Sequence, residues 1–123
     1  MRARRSKYGA CKAVHDGVQF DSRKELRRWL ELLEAEKRGE IANLRRQVPY
    51  ILIPEQREPD TIGKRGGVHR GRLIERECKY ISDIEYDKDG QHIVEDVKGM
   101  RTPDYIIKRK LMLYIHKIRI TEV

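Results

Sequence analysis

The chain has 123 residues and a formal net charge of +8, with 28 lysines and arginines against 20 acidic residues. This length fits one domain, and a basic surface favours a polyanionic partner, most commonly nucleic acid. The two distant cysteines exclude a cysteine-based zinc site of the usual kind and fit a reduced, cytoplasmic protein. The lack of a long apolar run excludes a secretory signal and a transmembrane helix. No long basic amphipathic helix with a bulky apolar face stands out, so no membrane partner is expected.

The chain begins with a basic segment and a small hairpin. Residues 1–10 carry four basic side chains and are predicted to form a flexible arm, which could follow DNA phosphates or serve as a solubilising tail. Residues 11–123 are predicted to form a single domain. Within it, Cys11–Phe20 reads as a hairpin that turns at Asp16-Gly17 and pairs Val14 with Gln19.

A helix is predicted from Ser22 to Arg38. Ser22 and Glu25 match a capping box, and Gly39 is placed to end the helix. An apolar stripe recurs at helical spacing, and the opposite face is basic. Glu25 therefore has a structural explanation, because the third position of a capping box prefers glutamate.

The middle of the chain is predicted to hold one strand followed by a loop. The strand, Arg46–Ile53, contains Pro49, which indicates an edge strand or a bulge. Residues 54–72 have two prolines, four glycines and no hydrophobic period, so a flexible basic loop is expected there. Its basic side chains suggest contact with a nucleic-acid backbone.

Two further strands are predicted to form a hairpin with a tight turn. A long strand, Leu73–Tyr86, is followed by Asp89-Gly90, a pair that favours a two-residue type I′ turn, and by a strand over 92–98. In this register Asp83 lies directly opposite Asp96. Opposite side chains are about 5 Å apart, where two carboxylates require a proton or a cation between them.

A divalent metal is the usual cation in such a place, and Lys98 lies on the same face as Asp96. A structural interpretation stays open, because 39% of the residues are charged and acid-x-Lys triplets arise by chance. Glu77-Cys78-Lys79 is a second such triplet, without an acid placed opposite it. A solvated, salt-bridged hairpin face would have the same sequence.

The chain ends with a predicted helix and strand. Thr102 is a candidate cap, Pro103 suits the first helical position, and the helix is expected to run to about Ile115. A last strand over 117–123 would then pair in parallel with the strand over 92–98 through a right-handed crossover.

This order of elements resembles the PD-(D/E)XK nuclease superfamily, and more closely a family of small phage proteins within it that was long of unknown function. The resemblance covers most of residues 12–123. The stretches that carry it are GVQFDSRKELRRW, GEIANLRRQVPYILIP, YISDIEY and VEDVKGMRTPDYIIKRK. It implies an α/β fold with a mixed sheet, a restriction-endonuclease-like core of αβββαβ order, here preceded by the N-terminal hairpin.

The resemblance also implies roles for particular residues. Asp83 and Asp96 would bind Mg²⁺ or Mn²⁺, helped by the Val97 carbonyl and Glu25, and Lys98 would orient or deprotonate the attacking water. Ser82 stands where the superfamily usually has proline, which has no direct chemical role. Glu95 would point to the other face of a regular strand, and a bulge would let it exchange roles with Asp96.

The implied function is a metal-dependent endodeoxyribonuclease that cuts branched or replicating phage DNA, such as a Holliday junction, in DNA recombination. Junction cleavage needs two active sites and hence a homodimer, and a phage-encoded protein would act in the bacterial cytoplasm. The predicted DNA-binding residues are Arg23, Arg27, Lys64, Arg65, Arg70, Arg72, Arg101, Lys108 and Lys110. The alternatives are a non-catalytic DNA-binding protein that retains the fold, and an RNA-directed protein.

Overall fold

The computed structural model describes residues 12–98 and 100–123. The predicted arm at residues 1–10 lies outside them. The helices are α1 (Arg23–Lys37) and α2 (Pro103–Leu111), and α2 continues as a π-helical segment, Met112–His116. The strands are β1 (Ala13–His15), β2 (Val18–Phe20), β3 (Ala42–Arg46), β4 (Pro49–Ile53), β5 (Gln56–Arg57), β6 (Thr61–Ile62), β7 (Val68–His69), β8 (Leu73–Glu75), β9 (Cys78–Ile81), β10 (Ile84–Lys88), β11 (Gln91–Asp96) and β12 (Thr121–Glu122).

The fold is mixed α/β, as predicted. The main sheet has the order β12-β11-β10-β3, in which β11 pairs antiparallel with β10 and parallel with β12. The predicted parallel pairing of the last strand is therefore confirmed, although that strand is shorter than expected. Smaller two-stranded ladders join β1 to β2, β4 to β9, β5 to β8, and β6 to β7.

The structure interrupts two of the predicted strands, and two of the interruptions face each other, at residues 47–48 and 82–83. The strand expected at Arg46–Ile53 is divided between β3 and β4 by Gln47, whose φ is 51°. The strand expected at Leu73–Tyr86 is divided into β8, β9 and β10. Backbone hydrogen bonds from Ser82 N to Val48 O (3.0 Å) and from Gln47 N to Asp83 O (3.3 Å) join the interrupted strands across the break.

The segment at 54–72 is not the loop that its sequence predicts. It contains β5, β6 and β7, and it continues the antiparallel pairing of β4 with β9 outward as a long hairpin over residues 49–81. We call residues 54–77 the hairpin extension. The hydrophobic period is missing because both faces of its distal part are exposed, so backbone pairing replaces burial as the cause of its structure.

Two hydrophobic clusters lie on opposite faces of the main sheet. On the α1 face the buried residues are Leu32, Ala35, Ile41, Ile84 and Tyr86. On the α2 face they are Leu52, Tyr80, Val94, Tyr105, Met112 and Ile120. Successive residues of β10 and β11 alternate between these clusters, which fixes the direction of every charged side chain between them. No helix in the described part of the chain is long and apolar enough to cross a membrane.

Local sequence signals account for the ends of several elements. Ser22 Oγ accepts a hydrogen bond from Glu25 N (3.0 Å), and Thr102 Oγ1 accepts one from Tyr105 N (3.3 Å), so both predicted caps are confirmed. Val14 pairs with Gln19, as predicted. Asp89 and Gly90 both have positive φ, which is the requirement of a type I′ turn.

Candidate active site

The turn at Asp89-Gly90 sets the register of the central hairpin. The paired residues run from Lys88 with Gln91 to Ile84 with Glu95, which is the predicted register. Asp83 comes directly after the last pair, at the break between β9 and β10. Released from the ladder, its carboxylate accepts a hydrogen bond from Val97 N (2.7 Å), at the end of β11.

Asp96 is 3% exposed and faces α2. Its Oδ2 accepts a hydrogen bond from the Tyr80 hydroxyl (2.5 Å), and its Oδ1 lies 2.7 Å from Lys98 Nζ. Lys98 is thus the charged partner of this buried oxygen, in an ion pair rather than a hydrogen bond. A divalent cation bound at Asp96 would share or replace this contact with Lys98.

Lys98 is held against both the carboxylate and an aromatic ring. Its Nζ lies 3.7 Å from the centre of the Tyr105 ring, in a cation–π contact. Its backbone carbonyl accepts a hydrogen bond from Lys24 Nζ (2.9 Å), which links the end of β11 to α1. The ammonium group is therefore positioned by β11, by α2 and by the acid beside it.

Burial and neighbouring charges raise the pKa of Asp83 to about 8. Burial is the largest cause, followed by the carboxylates of Asp96 and Glu25, and the Val97 N–H and Lys98 oppose it. The pKa of Glu25 is also raised, by burial and by Asp21. Glu25 is buried in the first turn of α1, and its carboxylate is 3.4 Å from Arg46 Nη2.

We expect the metal-free protein to lose stability as the pH rises from about 4 to 8. A carboxyl whose pKa is higher in the folded state stabilises the fold while protonated, and that contribution disappears above its folded pKa. Asp83→Asn should flatten this dependence, and Asp87→Asn, in the adjoining strand β10, should keep it. Urea denaturation in EDTA measures both, and equal slopes for wild type and Asp83→Asn would contradict the assignment.

Glu95 faces α1, opposite to Asp96. Both oxygens are bound by Arg28, at 2.8 Å to Nε and 2.7 Å to Nη2, and the Tyr86 hydroxyl donates a further hydrogen bond. β11 pairs with β10 in an unbroken register over this stretch. The carboxylate of Glu95 is thus fully engaged on the face away from Asp96, and the strand has no bulge that would exchange the two.

Removing Arg28 should destabilise the protein strongly. Arg28→Ala leaves the buried Glu95 carboxylate uncompensated, for which we expect a loss of about 3–5 kcal/mol. Arg27→Ala, at the neighbouring exposed position, should cost less than about 0.5 kcal/mol. Urea denaturation tests this, and adding Glu95→Gln to Arg28→Ala should recover part of the loss. A loss as small as that of Arg27→Ala would show that the pair is not structural.

A second buried carboxylate, Glu85, shares the α2 face. Its oxygens accept hydrogen bonds from Ser82 Oγ and Tyr50 Oη, both at 2.7 Å, and lie 2.7 Å from His92 Nε2 and 3.4 Å from Arg45 Nη2. Glu85 thus has four partners, whereas Asp96 has Tyr80 and Lys98. Ser82 also accepts a hydrogen bond from Val48 N (3.2 Å), and proline at this position could supply neither contact.

The acids and Lys98 open onto a cleft of about 390 Å³ that is also lined by Lys79, Thr102, Asp104 and Lys108. Lys98 also borders a neighbouring cleft, with Lys24 and Arg101. Of the predicted DNA-binding residues, Lys108 thus lies in the cleft with the two aspartates, and Arg101 lines the neighbouring cleft, where it is paired with Glu122. Lys110 lines a different cleft, and the others are exposed on α1 (Arg23, Arg27) or on the hairpin extension (Lys64, Arg65, Arg70, Arg72).

Sequence reasoning did not identify the aromatic partners of the site. Tyr80 and Tyr105 contact Asp96 and Lys98 from β9 and α2, and only the three-dimensional packing of these elements brings them there. Within residues 12–98 and 100–123, no three histidine, cysteine, aspartate or glutamate side chains are grouped to hold a metal. A metal would therefore rest on two carboxylates, a backbone carbonyl and water, a set that suits Mg²⁺.

Comparison with known proteins gives one match. A family model described as "Protein of unknown function (DUF1064)" matches residues 5–122. Neither the curated proteins nor the solved structures contain a match to the chain.

Proposed function

The chain belongs to the DUF1064 family, and we propose that it is a metal-dependent endodeoxyribonuclease that hydrolyses DNA phosphodiester bonds. The observation that carries the proposal is the half-buried Asp83 next to the buried Asp96 and Lys98, at the edge of an open cleft. Glu85 and Glu95 are held by an arginine and by further hydrogen bonds away from this cleft. Lys98 is the one cationic side chain paired with Asp96 among the described residues.

The residues fit a hard divalent cation. Asp83, Asp96 and the Val97 carbonyl would hold Mg²⁺ or Mn²⁺, and Glu25, which is not grouped with the two aspartates, would act on it through water. When bound, the ion would activate water and neutralise charge that develops at the phosphorus. The raised pKa of Asp83 supports this, since two carboxylates close together and partly shielded from water favour a proton or a cation between them.

Lys98 would act on the water that attacks the phosphate. Its Nζ lies beside Asp96 Oδ1, so a water bound near that carboxylate would be within its reach. Lys98 would orient this water and stabilise charge on the phosphate oxygens, while the bond between phosphorus and the leaving oxygen breaks. The Tyr105 ring limits the directions in which the ammonium group can point.

The substrate is proposed to be branched or replicating DNA, with a Holliday junction as the leading candidate. The net charge of +8 supports a polyanionic partner. Exposed arginines on α1 and Lys108 beside the cleft would contact phosphates, which position DNA without reading its sequence. The resemblance to small phage proteins supports action on phage DNA in the bacterial cytoplasm, and cutting both strands of a junction requires a homodimer.

Two observations favour a second candidate, a DNA-binding protein that does not cut. Lys98 neutralises Asp96 at 2.7 Å, and no third metal-binding side chain joins the two aspartates among the residues that the structure describes. Such a protein would bind the same DNA through the same basic surfaces. It would gain no stability from Mn²⁺.

Cleavage of labelled four-way-junction, flap and linear duplex DNA separates the two candidates. We expect cutting in Mg²⁺ or Mn²⁺, none in EDTA, and a preference for branched DNA. Binding without cutting in either metal would overturn the nuclease proposal in favour of the non-catalytic one. A labelled RNA duplex and hairpin in the same assay would identify an RNA-directed enzyme.

Glu25 can be tested separately as a metal ligand and as a cap. Glu25→Gln should lower Mn²⁺ affinity about tenfold or more, because it removes a charge near the ion. Ser22→Ala removes the cap instead, so it should cost about 1 kcal/mol of stability and leave Mn²⁺ affinity unchanged. Calorimetric titration and urea denaturation of both variants measure this. Equal Mn²⁺ affinities for wild type and Glu25→Gln would leave Glu25 with a structural role alone.

A further inference from the structure

Hydrogen bonds and a close backbone approach join the two arms of the hairpin extension. Glu58 N donates a hydrogen bond to Arg72 O (2.8 Å), and Arg57 Nη1 donates one to Gly71 O (2.9 Å). Asp60 Oδ1 accepts a hydrogen bond from Gly71 N (2.8 Å). Position 71 must be glycine, because a Cβ there would lie 1.6 Å from Glu58 O. These contacts join the two arms of the extension directly before its distal end.

The distal end carries an unburied apolar pair. Ile62 and Val68 are directly opposite each other across β6 and β7, so their side chains share one face. They are 79% and 72% exposed. His69 lies on the other face, over Gly63, where an added Cβ would come within 2.5 Å of its ring nitrogen. The apolar pair therefore forms a narrow projection rather than part of a core.

Positive charge surrounds this pair. Residues 61–72 contain Lys64, Arg65, Arg70 and Arg72 and no acidic residue. Arg70 pairs with Glu55, whereas Lys64, Arg65 and Arg72 make no ion pair with the residues that the structure describes. An apolar tip with basic flanks complements a DNA helix, whose base steps accept apolar wedges while its phosphates bind the flanking cations.

We propose that the Ile62–Val68 tip is a wedge that inserts between bases at the branch point of DNA, and so gives the enzyme its preference for branched substrates. Insertion into an intact duplex requires unstacking a base step, which costs a few kcal/mol. At a branch point the terminal base pairs have already lost a stacking neighbour, so insertion there costs less. This inference rests on the proposed function for its biological meaning, and its physical test does not need cleavage.

The test replaces the tip by threonines, which keep the β-branched shape and the strand preference. Four-way-junction and duplex DNA of equal length carry 2-aminopurine next to the branch point or at the same sequence position. Because this base fluoresces more strongly when unstacked, wild-type protein in EDTA should raise the junction signal. Ile62→Thr with Val68→Thr should abolish that rise and reduce the preference for junction over duplex about tenfold.

Two control variants separate the wedge from its surroundings. Ile74→Thr changes an isoleucine that is 56% exposed at the base of the same extension, and it should behave as wild type. Lys64→Ala with Arg65→Ala should weaken binding to junction and duplex alike. Ile62→Phe enlarges the wedge and should raise the fluorescence further, which keeps the test meaningful if the threonine variant folds poorly.

An unchanged junction signal for the threonine variant, with wild-type thermal stability, would overturn the inference. So would a change from dimer to monomer in light scattering without a change in fluorescence, because the tip would then contact a second copy of the chain. Cleavage by the wild-type protein is measured on the same junction in Mg²⁺. If it fails while the fluorescence response is present, the nuclease proposal falls and the wedge stands.

Discussion

Lys98→Ala should cut branched DNA about 10²–10⁴-fold more slowly than wild type, the range expected when a group that positions or moves a proton is lost. The variant removes the ammonium group that lies 2.7 Å from Asp96 Oδ1 and over the Tyr105 ring. Because the carboxylates remain, Mn²⁺ should still bind. Single-turnover cleavage in Mg²⁺ and Mn²⁺ is the measurement.

The matched control for this prediction is Lys88→Ala. Lys88 lies at the far end of the same hairpin, next to the Asp89-Gly90 turn, and removing it changes the net charge equally. Its cleavage rate should stay within about twofold of wild type. A similar loss in both variants would mean that Lys98 contributes only to the general attraction of DNA.

The second large effect is expected when either aspartate is neutralised. At a Mn²⁺ concentration 100-fold above its dissociation constant, the wild-type protein should gain about 2.7 kcal/mol of stability. Asp83→Asn and Asp96→Asn should lose this gain and should not cleave. Without metal at pH 8, Asp83→Asn should be more stable than wild type, because it removes the cost of burying a charge and the repulsion from Asp96, which together raise the pKa of Asp83 to about 8.

Thermal or urea denaturation measures the stability of wild type and of each variant with and without Mn²⁺. Asp87→Asn is the control, since Asp87 lies in β10, which follows Asp83 directly, and accepts a hydrogen bond from Asn43 (2.7 Å) outside the cleft. It should keep the full Mn²⁺ effect. A wild-type protein whose stability is unchanged by Mn²⁺ would favour the non-catalytic candidate.

The central hairpin could be predicted because its signals are local. Asp89-Gly90 fixes the turn, the turn fixes the register, and the register brings Asp83 to the end of β11 beside Asp96. The caps at Ser22 and Thr102 depend on a single side chain a few residues from its partner. Such contacts span little sequence, so composition and spacing are enough to predict them.

The remaining features depend on contacts between distant segments. The interruptions at Gln47 and Ser82 face each other and are joined by backbone hydrogen bonds. They depend on the pairing of two distant segments, so the sequence of either segment alone does not predict them. The strands of the hairpin extension were not predicted from the sequence. A hydrophobic period marks strands with one buried face, and the distal strands of the extension are exposed on both faces. Likewise, the contact of Tyr105 with Lys98 follows from the way α2 packs on the sheet.

The most direct test of the central claim, that Asp83 and Asp96 hold a catalytic metal, is the anomalous scattering of a crystal grown with Mn²⁺. The site predicts a peak about 2.1 Å from a carboxylate oxygen of each aspartate and close to the Val97 carbonyl. The same crystal form of Asp96→Asn should lack it. A wild-type map with no peak there, with Lys98 still paired to Asp96, would contradict the metal site and the nuclease mechanism with it.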